Sequence, residues 1–583
     1  MSATAFRVDV SLVSLVSLVS RHPLPGRVCA FVLMFGCAAA CGDDGAPSAA
    51  KNDEKNTDQS GVENAGAAGE ASPAVSGLLI KLKDGDLQGD MAGSARRFLK
   101  IPFAKPPLGP LRWKAPVRND PWQGIRHESE LALGCAQLAD QGAPPSNNED
   151  CLYLNVWSPE PAPDKAPVMV WIHGGGNFSG GAGIPIPNTQ QRWYDGQVFA
   201  ERHGIVLVTI QYRLGPLGFL AHPGLADEGQ PIGNQGLQDQ RFALQWVHDN
   251  IAKFGGDPGK VTLFGESAGS ADVCYHVASP GSRGLFQRAI SESGGCTIRS
   301  VGPERLIKDA AAPMVAYAEA VGCKAGKDQL SCLRAASVED LLANGMQPMP
   351  GAGEVMGGAK WSFAAVLDGP DGFLPDNLQA LFDRGDIADV PYLLGSNNDE
   401  GATFVIRATP LMSQDEYMDD LKKRFGAKAS SVAEVYPPSA FGGDFNLARS
   451  RVIGDSGVVC STHDTARRAA KAGRKVFMYN FNVPWALAPD LLHAGHGGEI
   501  SHVFGTPYLP KPDADSERVA EGMNAYWARF AATGDPNFQA APAQWPEFKP
   551  DADKRLQLDP NWQVLENFRT QECAFWRQFN GAE

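Results

Sequence analysis

The sequence has no excess of positive charge. Its 52 lysines and arginines are outnumbered by 66 aspartates and glutamates, for a net charge of −14 over 583 residues. Nucleic acid is held largely by cations that neutralise its phosphates, so a nucleic-acid partner is excluded. No histidine or cysteine spacing of the zinc type stands out, nor does a glycine loop of the phosphate-cradling kind, so neither metal nor organic cofactor is expected. A membrane-spanning run is missing from the front of the chain, where the apolar stretch from Val28 to Ala40 is too short to cross a bilayer. Preceded by Arg21 and Arg27, that stretch has the shape of a signal-peptide core instead.

With 43% hydrophobic residues the chain can build a substantial core. The most informative feature is Gly265-Glu266-Ser267-Ala268-Gly269, the one Gly-x-Ser-x-Gly in the sequence, directly after the apolar run Val261-Thr262-Leu263-Phe264. In a strand–turn–helix setting this pattern forms a nucleophile elbow, in which a serine hydroxyl is exposed on a strained turn and side chains at the glycines would collide with backbone. In a chain with 64 glycines the pattern alone is weak, so its surroundings must carry the argument.

Upstream, the continuous apolar run Pro167-Val168-Met169-Val170-Trp171-Ile172 reads as a strand buried on both faces, leading into His173-Gly174-Gly175-Gly176. Glycines after a buried strand leave backbone amides uncovered, as the second half of an oxyanion hole requires. Ile205 to Ile210 reads as another strand. The segment from Phe242 to Ile251 has helical spacing and is stopped by Gly255-Gly256-Asp257-Pro258. Strand, helix, strand and elbow in alternation predict an α/β fold with a mostly parallel central sheet and crossover helices.

The chain resembles the type-B carboxylesterase family, the cholinesterase-like branch of the α/β-hydrolases, and among them bacterial para-nitrobenzyl-esterase-like members. The resemblance rests on Phe98 to Pro107 with Gly109, Arg112 and Trp113, and on Glu149 to Trp157. It continues through Tyr212 to Phe219, Gly233 to Gln240, Thr533 to Asn537 and Trp545-Pro546. It runs from about Pro73 to the C-terminus and implies one large hydrolase domain with long insertions, residues 76–583. In this fold class the order along the chain is nucleophile, acid, histidine. The strand expected at Val390 to Gly395 opens into Ser396-Asn397-Asn398-Asp399-Glu400-Gly401. Spacing alone does not separate Asp399 from Glu400; the resemblance places the acid on Glu400. Of His463, His493, His496 and His502, the resemblance selects His496, followed by Gly497-Gly498-Glu499-Ile500. His502 stands where relatives usually carry an apolar residue. The implied chemistry is serine ester hydrolysis by Ser267, His496 and Glu400, with the amides of Gly175, Gly176 and Ala268 as the oxyanion hole. A lipase or amidase would share this triad. An adhesion protein of the same fold is the competing non-enzymatic reading, disfavoured because such relatives usually lose a triad member.

Eight cysteines follow the signal region. The resemblance pairs Cys135 with Cys151, Cys323 with Cys332 and Cys460 with Cys573. Cys274 and Cys296 remain, either as a fourth bridge suggested by parity or as two buried thiols. At the front, Cys41 with the Ser/Asp/Gly/Ala-rich tail after it resembles a bacterial lipoprotein signal, with a cleaved secretory signal lacking lipid as the alternative. Residues 1–41 are then the signal, and 42–75, almost without large apolar groups, are expected to be a disordered tether. Membrane association is expected only through this anchor, at the cell envelope or after export. The oligomeric state is not legible.

The expected partner is a small-molecule ester. Choline-specific relatives carry a tryptophan in the loop before Glu149 that holds the cationic headgroup by cation–π attraction. Here Ala136 to Asp150 contains no aromatic residue, so no choline-ester preference is expected. Asn177 stands where many relatives have an aromatic, which suggests a more polar pocket. Glu266 has two readings, tuning of the histidine or a structural hydrogen bond.

Overall fold

Period-2 burial organises the molecule. Along Ala166–Ile172 (β4 below), Val168, Val170 and Ile172 belong to one apolar cluster while Met169 and Trp171 belong to another. The alternation repeats in the next strand, where Val206, Val208 and Ile210 face one way and Leu207 the other. Successive strand side chains point to opposite faces. A run that is apolar at every position must therefore be covered on both faces, as the continuous hydrophobic stretches predict.

The computed structural model describes residues 77–139, 143–186, 192–298, 305–345, 361–405, 412–486, 488–506 and 513–582. Its central sheet has eleven strands. In chain order they are β1 (Asp90–Ala92), β2 (Ala95–Pro102), β3 (Tyr153–Pro159), β4 (Ala166–Ile172), β5 (Val206–Ile210), β6 (Gly256–Glu266), β7 (Arg288–Glu292), β8 (Tyr392–Asn397), β9 (Val476–Phe481), β10 (Lys554–Leu558) and β11 (Val564–Glu566). Their spatial order is β11-β10-β9-β8-β7-β6-β4-β5-β3-β2-β1. From β5 through β10 every neighbouring pair is parallel, and the pairings at either end are antiparallel. The architecture is the α/β-hydrolase fold. The exchange of β4 and β5 in the order leaves β4 beside β6, with Ile172 opposite Gly265. That register sets the end of the first glycine-flanked strand against the elbow.

Helices close both faces. The helices α1 (Gln197–His203), α2 (Gln235–Asn250), α3 (Ala268–Ala278), α4 (Cys460–Lys471), α5 (Ala514–Thr533) and α6 (Thr570–Phe579) carry much of this cover. Leu237, Ala243, Leu244 and Val247 of α2 and Val273 and Val277 of α3 pack in one cluster. Phe199 of α1 and Met523, Trp527 and Phe530 of α5 pack in the other. The sheet strands expected from sequence lie within a few residues of their observed bounds, but α2 begins seven residues before the expected Phe242. Its first turns are buried yet polar (Gln235, Gln238, Asp239 and Gln240), so hydrophobic spacing does not reveal them. Asp239 is held there by Arg213, whose guanidinium donates two hydrogen bonds of 2.7 Å. Gly255 (φ 91°) ends the short 3-10 turn after α2, and Gly256-Asp257-Pro258 is already the start of β6.

Among the described residues four disulfides are formed: Cys135–Cys151, Cys274–Cys296, Cys323–Cys332 and Cys460–Cys573. Cys274 and Cys296 are thus bonded rather than free. Residues Pro73–Glu583 make one compact unit. The signal and tether readings, and Cys41 with them, lie outside the described residues. No helix among the described residues is long and apolar enough to cross a membrane.

Candidate active site

The elbow is a backbone problem solved by two glycines and one strained serine. Ser267 sits at φ 57° and ψ −120°, between the end of β6 and the first turn of α3. For a non-glycine residue this conformation is costly and persists only where the surroundings over-determine it. They do so here: the Ser267 amide donates to the Glu292 carbonyl at 2.9 Å, and its carbonyl accepts from Ala271 at 3.0 Å. A Cβ on Gly265 would lie 2.6 Å from the Ile172 carbonyl oxygen, and one on Gly269 would lie 2.1 Å from the same atom. Only glycine lets the elbow close onto β4.

That closeness also assembles a set of amides around Ser267. A Cβ on Gly174 would meet the Ser267 Cβ at 3.1 Å, so the loop after β4 lies directly beside the serine. Gly175 (φ 103°) and Gly176 (φ 65°) turn this loop, and among the described residues their amides donate to no partner. Ala268 opens α3, where the amide has no intrahelical acceptor and the helix dipole favours negative charge.

Glu400 and His496 come from two other strand ends. Glu400 follows β8, is 1% exposed, and accepts from the Asn397 amide at 2.7 Å through Oε1. Its Oε2 lies 2.6 Å from His496 Nδ1. His496 Nε2 lies 2.8 Å from Ser267 Oγ. Serine, imidazole and carboxylate thus touch in series. Asp399 turns the other way and accepts from Arg451 at 2.9 Å. The remaining histidines are elsewhere: His463 pairs with Asp553 at 3.0 Å, His502 is buried 2.9 Å from Ser516 Oγ, and the His493 carbonyl accepts from the Trp485 amide. His502, where relatives usually carry an apolar residue, packs edge-on against Phe481 with 5.0 Å between ring centroids.

Three further carboxyls are buried nearby, and the charges of two of them, Glu266 and Glu499, act on the imidazole. Glu266 Oε1 lies 3.2 Å from His496 Nε2. Glu499 accepts from Ser293 Oγ at 2.8 Å and from Asn397 Nδ2 at 2.5 Å. Glu292 accepts from Trp527 Nε1 at 2.7 Å. Burial alone would make His496 less basic, but the charges of Glu266 and Glu400 and the Glu400 hydrogen bond outweigh it and raise the imidazole pKa. Burial raises the carboxyls of Glu266, Glu292 and Glu499. Sequence reading singled out neither Glu499 nor Glu292. Glu499 carries a weak signal, a carboxylate three residues after the histidine; Glu292 carries none, because only the fold brings it underneath the serine.

One expectation is corrected. Asn177 does not lend polarity to a substrate pocket. It is 8% exposed, turned inward, and donates through Nδ2 to Asp272 Oδ1 at 3.0 Å. The cause is its position at φ 62°, which swings the side chain under the glycine loop towards α3.

A family model described as the carboxylesterase family matches residues 76–576. The chain is also similar to the acetylcholinesterase of Bungarus fasciatus, with 34% identity over 549 residues, covering 87% of this chain and 85% of that protein.

Proposed function

The chain belongs to the carboxylesterase family and is a carboxylic ester hydrolase, and from that premise we propose that Ser267, His496 and Glu400 perform the hydrolysis through an acyl-enzyme. The observation that carries this reading is the position of His496, 2.8 Å from Ser267 Oγ on one side and 2.6 Å from Glu400 on the other. A serine hydroxyl is a poor nucleophile until a base takes its proton. His496 accepts that proton through Nε2 as Oγ attacks the ester carbonyl carbon. Glu400 holds the proton-bearing Nδ1 and stabilises the imidazolium. The tetrahedral oxyanion is received by the amides of Gly175, Gly176 and Ala268; one such donor is typically worth about 3 to 4 kcal/mol of barrier. The intermediate collapses as His496 gives its proton to the departing alcohol. Water, activated by the same imidazole, then releases the acid and restores Ser267.

The substrate class is a small-molecule ester other than a choline ester. The similar acetylcholinesterase makes choline esters the natural comparison, but the loop Ala136 to Asp150 offers no aromatic face for a quaternary ammonium. The reading extends to export and lipid attachment at Cys41. Four disulfides favour an oxidising compartment, and mass spectrometry of the mature N-terminus tests the lipid.

The deciding experiment compares purified wild type with Ser267→Ala on short-chain nitrophenyl, long-chain nitrophenyl and choline esters. Ser267→Ala is expected to remain folded and lose acyl transfer, and the wild type to prefer uncharged short-chain esters. Near wild-type turnover by Ser267→Ala would overturn the mechanism. A preference for choline esters would overturn the substrate class.

A further inference from the structure

The amides that surround Ser267 belong to two separate pieces of chain. Gly175 and Gly176 lie on the loop after β4, whereas Ala268 is the first residue of α3. They can converge on one oxygen only if loop and helix are fixed to each other. The residue after Gly176 makes that connection: Asn177 Nδ2 donates to Asp272 Oδ1 at 3.0 Å, and Asp272 lies one turn into α3. Further partners of the pair are also buried. The Tyr212 hydroxyl is 2.9 Å from both Asn177 Oδ1 and the His173 carbonyl, at the start of the same loop. Gln240 Nε2 of α2 donates to Asp272 Oδ2 at 2.6 Å, and Gln240 Oε1 is held 3.1 Å from His276 Nε2. The Asn177 carbonyl accepts from the Gly215 amide at 2.7 Å. Asp272, Gln240 and Tyr212 are fully buried.

Such an arrangement is expensive unless every group is satisfied, because an unpaired buried amide or carboxyl keeps its full desolvation cost. A simple glycine turn does not need it. We infer that Asn177 and Asp272 are positioning residues whose buried hydrogen bond locks the oxyanion loop onto the nucleophile helix and so sets the geometry of the oxyanion hole. Asn177 suits the task twice. Asparagine tolerates the left-handed backbone that the loop requires at φ 62°, and its amide both donates to Asp272 and accepts from Tyr212. The pair touches no reacting atom. It acts through the backbone of Gly176, one residue away, where a displacement of a fraction of an ångström weakens hydrogen bonds to the oxyanion more than contacts to the ground-state ester.

This inference rests on the esterase reading above, and a reciprocal exchange tests it separately. Asn177→Asp sets two carboxyls against each other, and kcat should fall by about 10- to 100-fold with KM changed little. Affinity for a trifluoromethyl ketone, whose adduct with serine carries an oxyanion, should fall in proportion. The double variant N177D/D272N reverses donor and acceptor while keeping the bonds to Tyr212 and Gln240. The amide introduced on α3 would donate to the carboxylate introduced on the loop and still accept from Gln240, and Tyr212 would still donate to the loop side chain. The double variant should recover most of both losses. Asn177→Gly, which keeps the backbone freedom and removes only the side chain, should show the same loss of kcat and ketone affinity in a protein whose circular dichroism is unchanged. Wild-type kcat and ketone affinity in Asn177→Gly or Asn177→Asp would overturn the inference, as would a folded double variant with no recovery. A wild-type protein that turns over no ester would instead defeat the functional reading on which it stands.

Discussion

At Glu266 two interactions compete within a single side chain. Its burial disfavours a charge, yet its Oε1 lies 3.2 Å from His496 Nε2, where a negative charge makes the imidazole more basic. General-base catalysis needs the neutral imidazole, so kcat/KM should rise with pH as His496 loses its proton. Glu266→Gln removes one of the charges that hold the proton on. The acidic limb of kcat/KM should therefore move to lower pH in the variant. Glu400→Gln removes another charge and, with its one remaining acceptor oxygen claimed by the Asn397 amide, turns an NH2 towards Nδ1, so it should cost far more in kcat, of the order of 10⁴-fold. Steady-state kinetics across pH 5 to 10 read both, and an unmoved limb in Glu266→Gln would show that its charge does not act on His496. Legibility differed sharply among these residues. The elbow serine was plain because backbone sterics demand glycines around it. Asp399 and Glu400 could not be separated by spacing, since adjacent loop residues point in different directions only once Arg451 claims one of them. Asn177 misled because an inward side chain and an outward one look the same in a sequence.

At the scale of elements, the site depends on how tightly the elbow between β6 and α3 closes against β4. The Gly269 position has its would-be Cβ 2.1 Å from the Ile172 carbonyl and 2.9 Å from that of His173, both backbone atoms that cannot rotate away. Gly269→Ala must push α3 off the loop that carries Gly175 and Gly176. It is expected to lower stability by about 1 to 3 kcal/mol and kcat by at least about tenfold. Gly259→Ala is the control, because its nearest neighbour is the flexible Asp257 carboxylate at 3.2 Å. Denaturant midpoints and kcat for the two variants make the comparison; equal effects would show that closure of the elbow is not the constraint. The strands were legible for a related reason. Sheet burial on both faces writes itself as unbroken apolar runs, as in Ala166–Ile172. The start of α2 was not legible, because Gln235, Asp239 and Gln240 are buried through hydrogen bonds and an ion pair rather than through apolar spacing.

Across the whole molecule, the C-terminal part of the chain is held by contacts distant in sequence. Glu400 is positioned at the end of β8, His496 beyond β9, and both must meet a serine more than a hundred residues earlier. Near them, Arg569 reaches from just before α6 to Asp455 and to the Asn398 carbonyl, beside the turn that presents Glu400. The Cys460–Cys573 disulfide ties α4 to α6 over a separation of 113 residues, inside an apolar cluster with Val459 and Trp576. Cys323–Cys332 closes a separation of only 9. In the chain-entropy view, the long closure restricts the unfolded state by about 4 to 5 kcal/mol and the short one by about 2 to 3 kcal/mol. Buried Cys460 and Cys573 add a packing loss when removed. The paired variant C460A/C573A should therefore unfold at clearly lower denaturant than C323A/C332A. Because α6 anchors the segment next to the Glu400 turn, it should also lose ester turnover below its unfolding midpoint, while C323A/C332A keeps activity until it unfolds. Parallel unfolding and activity curves on the two variants decide the matter: the same midpoint for both, or activity lost only with global unfolding in C460A/C573A, would mean that the long bridge does not brace the turn that carries Glu400.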